Sequence, residues 1–275
     1  MGVVLAALSA LVYGVADYAG GKATRLLPSV VVTFLSQAAG FALVLVFCLI
    51  VPSGGPTVRN LGFGAMGGLA GGAGLILFYH ALSIGTMSVV SPVCAVVAAM
   101  VPVAAGHLGG ERPGSFALIG IAMALVAIAL VGLSGTSGSN RRGLGTAVAA
   151  GLGFGLFFVA LARCGDRPGL WPLVAARPAS MTLAWLLARR ARVPIKLAGT
   201  SPVIIAVAGV LDMIANLLFV IAATRGDLSI IGVVASLYPA STVCLAGWLD
   251  HERLRLRQWI GLASAGLALA FVSMP

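Results

Sequence analysis

Apolar positions run almost unbroken along this chain, and the interruptions are regular. Stretches of about twenty apolar residues alternate with short breaks of charge, proline or glycine, and none shows the period-two alternation of a half-buried strand. In lipid only a helix or a closed barrel satisfies its own backbone, and continuous runs of this length select helices. The breaks predict ten spans, at about residues 2–21, 29–51, 61–82, 87–108, 115–134, 143–163, 170–190, 202–223, 228–249 and 257–274. The expected fold class is an all-α, multi-pass integral membrane protein.

The pattern also repeats. Shifted by 141 positions, residues 77–112 lie on 218–253 without a gap, and 12 of the 36 positions are identical. Among them are Gly85 on Gly226, Ser88 on Ser229, Gly106 on Gly247 and the charged pair Glu111-Arg112 on Glu252-Arg253. Gly14 falls on Gly155 and Lys22 on Arg163 at the same offset, so the amino-terminal stretch, which has no basic n-region, reads as a repeat helix and not as a cleaved signal peptide. The chain is therefore a duplication of one unit. Five spans per unit is an odd number, so the second unit enters the membrane from the opposite side. The expectation is two inverted five-helix repeats, 1–134 and 143–275, joined by a Gly/Ser-rich linker at 135–142.

Composition narrows the function classes. With 60% hydrophobic and 9% charged residues, a water-soluble core is excluded. The net charge of +10 comes from 17 Lys and Arg set singly or in short clusters between apolar runs, where they meet lipid headgroups and not nucleic acid. The four cysteines are scattered without CxxC spacing, His80, His107 and His251 have no HExxH spacing, and no nucleotide-binding loop occurs. Neither a metal, a cofactor nor an enzyme motif is indicated. The odd-numbered loops hold 11 of the basic residues and the even ones 5, which by the positive-inside rule places both termini outside.

Polar residues within the spans carry the candidate chemistry. Arg177 and Asp212 fall near the middle of the seventh and eighth spans, which as consecutive helices are expected to be neighbours. Their pairing would be either structural or a substrate site. Asp17, about one turn from the end of the first span, is either an interfacial carboxylate or a proton-carrying site. Tyr79 and His80 close the third span beside Gly64, Gly67, Gly68, Gly71, Gly72 and Gly74, a stripe that serves close helix packing or borders a path for a bound molecule. Ser91-Pro92 and Tyr238-Pro239 free backbone carbonyls inside spans. Asn216 suits an interhelical hydrogen bond, and Phe157 and Phe158 suit packing.

The segments ALSALVYGVADYAGGKA (7–23), FYHALSIGTMSVVSPV (78–93), HLGGERPGSFALIGIAMALVAIALVG (107–132) and LDHERLRLRQWIGLASAGLALAFVS (249–273) resemble the drug/metabolite transporter superfamily, specifically its EamA-type members. The resemblance implies a ten-helix carrier with a central cavity between its halves that exports metabolites, amino acids or drugs. It implies a Tyr-His pair late in helix three lining that cavity, hence Tyr79 and His80. It also implies an arginine early in helices two and seven: Arg177 matches the second, whereas Ser36 stands at the first. It implies cytoplasmic termini, against the loop charges.

The expected function is a secondary transporter, in a bacterial inner membrane, exporting a small organic solute such as an amino acid, nucleobase or drug by alternating access. A facilitative uniporter or exchanger is the alternative, and a lipid-acting membrane enzyme or scaffold the runner-up. That runner-up would show a lateral lipid groove lined by His107 and Glu111. The expected substrate-binding residues are Tyr13, Tyr79, His80, Ser91, Phe158, Arg177, Asp212, Asn216 and Tyr238, with Tyr79, His80, Arg177 and Tyr238 facing one cavity. Asp17 is the candidate for proton coupling. The expected partners are a small-molecule substrate and the lipid bilayer, with protons as the coupling ion and no nucleic acid.

Overall fold

The computed structural model describes residues 1–50, 55–85, 87–133, 143–164, 169–197, 202–249 and 256–272. Within them the chain is helical, with no strand. The first half forms α1 (Gly2–Ala23), α2 (Ser29–Ile50), α3 (Val58–Ile84), α4 (Met87–Leu108) and α5 (Ser115–Leu133). The second forms α6 (Leu144–Ala162), α7 (Trp171–Arg190), α8 (Pro202–Ala223), α9 (Leu228–Ala235), α10 (Tyr238–Leu249) and α11 (Leu256–Val272). Seven segments are long and apolar enough to cross a membrane, taking α9 and α10 together, while α5 and α11 offer shorter apolar stretches. α7 falls outside both groups because Arg177, Pro178 and the terminal Arg189-Arg190 lower its hydropathy. The sequence reading of ten equivalent spans is coarsened accordingly.

Local chemistry sets several ends. The Thr57 side chain accepts a hydrogen bond from Asn60 N at 3.1 Å and caps α3, which starts three residues earlier than the charge pattern predicts. Pro172 sits in the first turn of α7, where its missing N–H costs nothing. α7 ends in a Schellman arrangement: Arg192 N reaches Arg189 O at 3.1 Å and Val193 N reaches Ala188 O at 2.9 Å. The left-handed residue there is Arg192, with φ of +54°. Span nine breaks at Ser236-Leu237, since Pro239 cannot donate to the carbonyl one turn back. Ser236 Oγ instead donates to Gly232 O at 2.8 Å. Pro92 and Pro102 are carried inside α4 without ending it.

The halves interlock and do not sit side by side. α1 packs on α8 as α6 packs on α3, and α4 on α6 as α9 and α10 on α1, while α2 meets α7 and α5 meets α11. Each contact goes into its partner when the halves are exchanged. The glycines make this approach possible. Gly64, Gly68 and Gly72, four residues apart, lie against Pro172, Ala176 and Ser180 of α7, also four apart. Gly67 and Gly71 lie against Phe157 on α6. Two faces of α3 are thus matched row to row with neighbouring helices, as small residues in lipid allow. Large apolar side chains such as Leu45, Val46, Leu118, Leu156, Leu186 and Leu267 remain exposed on the outer surface, as a lipid-facing exterior requires.

Candidate functional site

A cavity opens where helices of both halves converge: α1, α2 and α3 from the first, and α6, α7, α8 and α10 from the second. Its volume is about 50 Å³, small beside the roughly 300–1,000 Å³ of a site for a drug-sized molecule. The helices must part before a larger solute fits.

At one end stands a charged knot. Arg177 of α7 is buried, and its Nη1 donates to Asp212 Oδ2 of α8 at 2.6 Å and to Gln37 Oε1 of α2 at 2.7 Å. Nη2 lies 3.3 Å from Met213 Sδ. Ser180 Oγ donates to the same Gln37 oxygen at 2.9 Å, and Gln37 Nε2 to Asp212 at 3.4 Å. The Arg177 Nε is buried without a partner. The pair exists, but not for the reason of sequence adjacency: α7 and α8 do not pack closely on each other, and both pack on α2. Gln37 bridges the gap between them, so a buried cation is held by two acceptors at once.

The other end is aromatic and carries a lone carboxylate. Tyr13 OH donates to Asn216 Oδ1 at 2.8 Å, and Asn216 Nδ2 to Asp212 O at 2.6 Å, tying α1 to α8. The Tyr13 ring lies 6.1 Å from that of Phe158 and 6.5 Å from that of Tyr238, centroid to centroid, and Phe158 stacks on Phe219 at 4.3 Å. Asp17, one turn beyond Tyr13 on the same face of α1, lines the cavity and is 8% exposed. Its side chain is buried among helices and not on the outer surface. Lys22, which could have neutralised it, lies over the Tyr18 ring at 5.4 Å. Among the described residues no hydrogen bond or ion pair reaches the Asp17 carboxylate. The Tyr238 hydroxyl is buried without a nitrogen or oxygen partner, with only the weakly bonding Cys94 thiol beside it.

The cavity thus collects Tyr13, Asp17, Phe158, Arg177, Asp212, Asn216 and Tyr238. Three expected members stand apart. His80 is exposed, and the expectation that it shares the cavity with Arg177 and Tyr238 is not met. Tyr79 and His80 follow one another on α3, and neither lines the cavity. Tyr79 is buried just outside the lining, its ring against Gly20, and Ser91 is buried in α4 with its hydroxyl unpartnered. Gln37, Ser180, Phe154 and Phe157 belong to the lining. The sequence reading passed over the first three and assigned Phe157 to packing. In the glycine stripe, Gly68, Gly71 and Gly72 pack against neighbouring helices and also border the cavity.

Away from the cavity, the Glu111 carboxylate accepts from Leu228 N at 2.9 Å and Ser229 N at 3.0 Å. It caps the start of α9 in the opposite half, where unpaired N–H groups favour an anion. Its oxygens are thus engaged by backbone and do not line a lipid groove with His107. The repeat mates Glu252 and Arg253, and His251, lie outside the described residues. No group of three or more His, Cys, Asp or Glu suited to a metal occurs among the described residues.

A model of the EamA-like transporter family matches residues 1–133 and again residues 141–274. No curated protein sequence matches the chain. A protein of known crystal structure, 19% identical, superposes over 99% of this chain and 98% of its own with a TM-score of 0.81, a likeness of fold.

Proposed function

The chain belongs to the EamA-like transporter family of membrane proteins, and from this premise we propose that it is a secondary transporter that exports a small organic solute by alternating access. The observation that carries this reading is the cavity itself, walled by helices of both halves and holding polar groups that nothing in a purely structural core requires. In this reading ten helices cross a bacterial inner membrane as two inverted repeats, 1–134 and 143–275, with 135–142 as linker. Rocking one repeat against the other exposes the site to each side in turn. Tyr13, Phe158, Arg177, Asp212, Asn216 and Tyr238 contact the solute, joined by Gln37. Asp17 carries the coupling proton. Tyr79 and Ser91 lie one layer behind and support the wall, and His80 has no part in it.

Counterflow in proteoliposomes tests the proposal. Saturable exchange of a labelled organic solute, abolished by Arg177→Met, is the expected result. Absence of exchange with amino acids, nucleobases and organic cations alike would overturn it. Uphill movement that ignores an imposed pH gradient would favour a facilitative exchanger.

A further inference from the structure

We propose that the Asp17 end of the cavity is a subsite for a protonated amine, so that the solute carried is a monocation with an apolar or aromatic body. The inference rests on the transport reading and narrows it to one substrate class.

The charge inventory of the cavity leads there. Three side chains that can carry charge line it, namely Asp17, Arg177 and Asp212. Arg177 and Asp212 cancel in a 2.6 Å contact. Arg177 is 4% exposed, with its Nη groups turned to Gln37, Asp212 and Met213. Its Nε is buried without a partner. Because Asp212 already balances the Arg177 charge, a solute carboxylate finds no cation there without a counterion. Asp17 is the charge left over, and an uncompensated carboxylate in a nearly dry site is costly until a cation or a proton joins it.

The surroundings of Asp17 suit an ammonium group better than a hydrated metal ion. Tyr13 and Tyr238 present ring faces and edges 6.5 Å apart, with Phe158 next to them, and aromatic rings attract organic cations through their quadrupole. Tyr238 lines the same space, and its hydroxyl, buried without a nitrogen or oxygen partner, is an acceptor not yet taken for an N–H that reaches it. Phe154 and Phe157 and the bare backbone of Gly68, Gly71 and Gly72 continue the wall, leaving an apolar track for the body of the molecule. Asn216 is already held by Tyr13 and by the Asp212 carbonyl, which leaves few groups to read a second polar end.

The test is equilibrium binding to the full chain in lipid nanodiscs at neutral pH. The probes are phenethylamine, its trimethylammonium analogue, phenethyl alcohol, 3-phenylpropionate and phenylalanine. Both cations should bind about tenfold or more tighter than the other three, the strength of a hydrogen-bonded charge contact. Asp17→Asn should remove that preference while its SDS unfolding midpoint stays at the wild-type value, and Asp17→Glu should retain part of it. Cations binding Asp17→Asn as tightly as wild type would overturn the subsite, as would tighter binding of the anion or zwitterion, or no binding of any probe. Counterflow separates this from the transport reading. Exchange of amino acids or nucleobases without cation binding ends the subsite and leaves transport standing, whereas no exchange of any solute ends both.

Discussion

Arg177 donates to Gln37, the residue that follows its own repeat counterpart, Ser36. The two halves therefore meet at the α2–α7 seam one residue out of register, with a cation on one side and an amide on the other. Two arginines facing each other across that seam would repel. One arginine with a neutral acceptor and Asp212 is electrically closed.

This predicts that Gln37→Met, close in size but without an acceptor, destabilises the protein by about 1.5–3 kcal/mol, because it leaves a buried charged donor short of a partner. Asp212→Asn should cost about 3–5 kcal/mol, since the Arg177 charge is then uncompensated. The double change Arg177→Met with Asp212→Leu should recover most of the loss while transport stays absent. SDS-titrated unfolding in mixed micelles measures the first three quantities, and counterflow the last. A double variant as unstable as Asp212→Asn would contradict the account.

Gly62 and Gly68 occupy the same helix in opposite circumstances. A Cβ on Gly68 would meet the backbone of Ala176, which cannot rotate away, while one on Gly62 meets nothing within 4 Å. Gly68→Ala should therefore destabilise by about 1–3 kcal/mol through forced separation of α3 and α7. Gly62→Ala should be neutral or gain up to about 1 kcal/mol of helix propensity. Equal effects at the two sites, in the same unfolding assay, would refute the row-to-row packing of α3 on α7.

How much of this was legible beforehand follows from the physics of each signal. The duplication and the Arg177–Asp212 pair could be read, because charge in an apolar span is rare and a Glu-Arg pair at one fixed offset is rarer. The glycine stripe could be read as a face but not assigned to a partner, since spacing on one helix says nothing of which neighbour fills it. Gln37 was invisible: an uncharged amide in an apolar run carries little depth signal, and its importance lies in joining a pair whose helices, α7 and α8, pack on α2 and not closely on each other. His80 misled for the opposite reason, being chemically conspicuous while it lies exposed near the end of α3, outside the cavity. That Asp17 lines a cavity was not legible, since spacing on α1 alone does not say which helices of the second half close on that face.

Arg192 holds the left-handed position of the cap that ends α7, with φ of +54°. An L side chain pays roughly 1–2 kcal/mol for that conformation, and glycine does not. Arg192→Gly should therefore raise stability by about 1 kcal/mol, part of the gain being offset by the freer unfolded chain. Arg192→Ala keeps the strained backbone while removing the charge, and should show no gain. If the two variants rise equally, relief of charge crowding with Arg189 and Arg190 explains the effect and the backbone argument falls.

In the proposed transport cycle coupling turns on Asp17. Export against a gradient needs an energy source, the sequence offers no nucleotide-binding loop, and Asp17 is the cavity carboxylate without a counterion. The titratable and charged groups that face it are Tyr13 one turn earlier on α1, Asp212 of α8, Tyr238 and Cys94 from α10 and α4, and Tyr79 from α3, with Arg177 already committed to Asp212. None of them is a free cation, so a proton entering from one side has one place to compensate. A carboxylate that holds the amine of a solute cannot also hold the proton, and exchange of one for the other across the rocking motion links the two gradients. Asp17→Asn should still exchange solute downhill, at a raised substrate concentration, but accumulate nothing when an inward proton gradient is imposed. Proteoliposomes loaded with labelled phenethylamine, with and without a pH step, distinguish these. An Asp17→Asn protein that responds to the gradient as wild type does would place the coupling proton elsewhere.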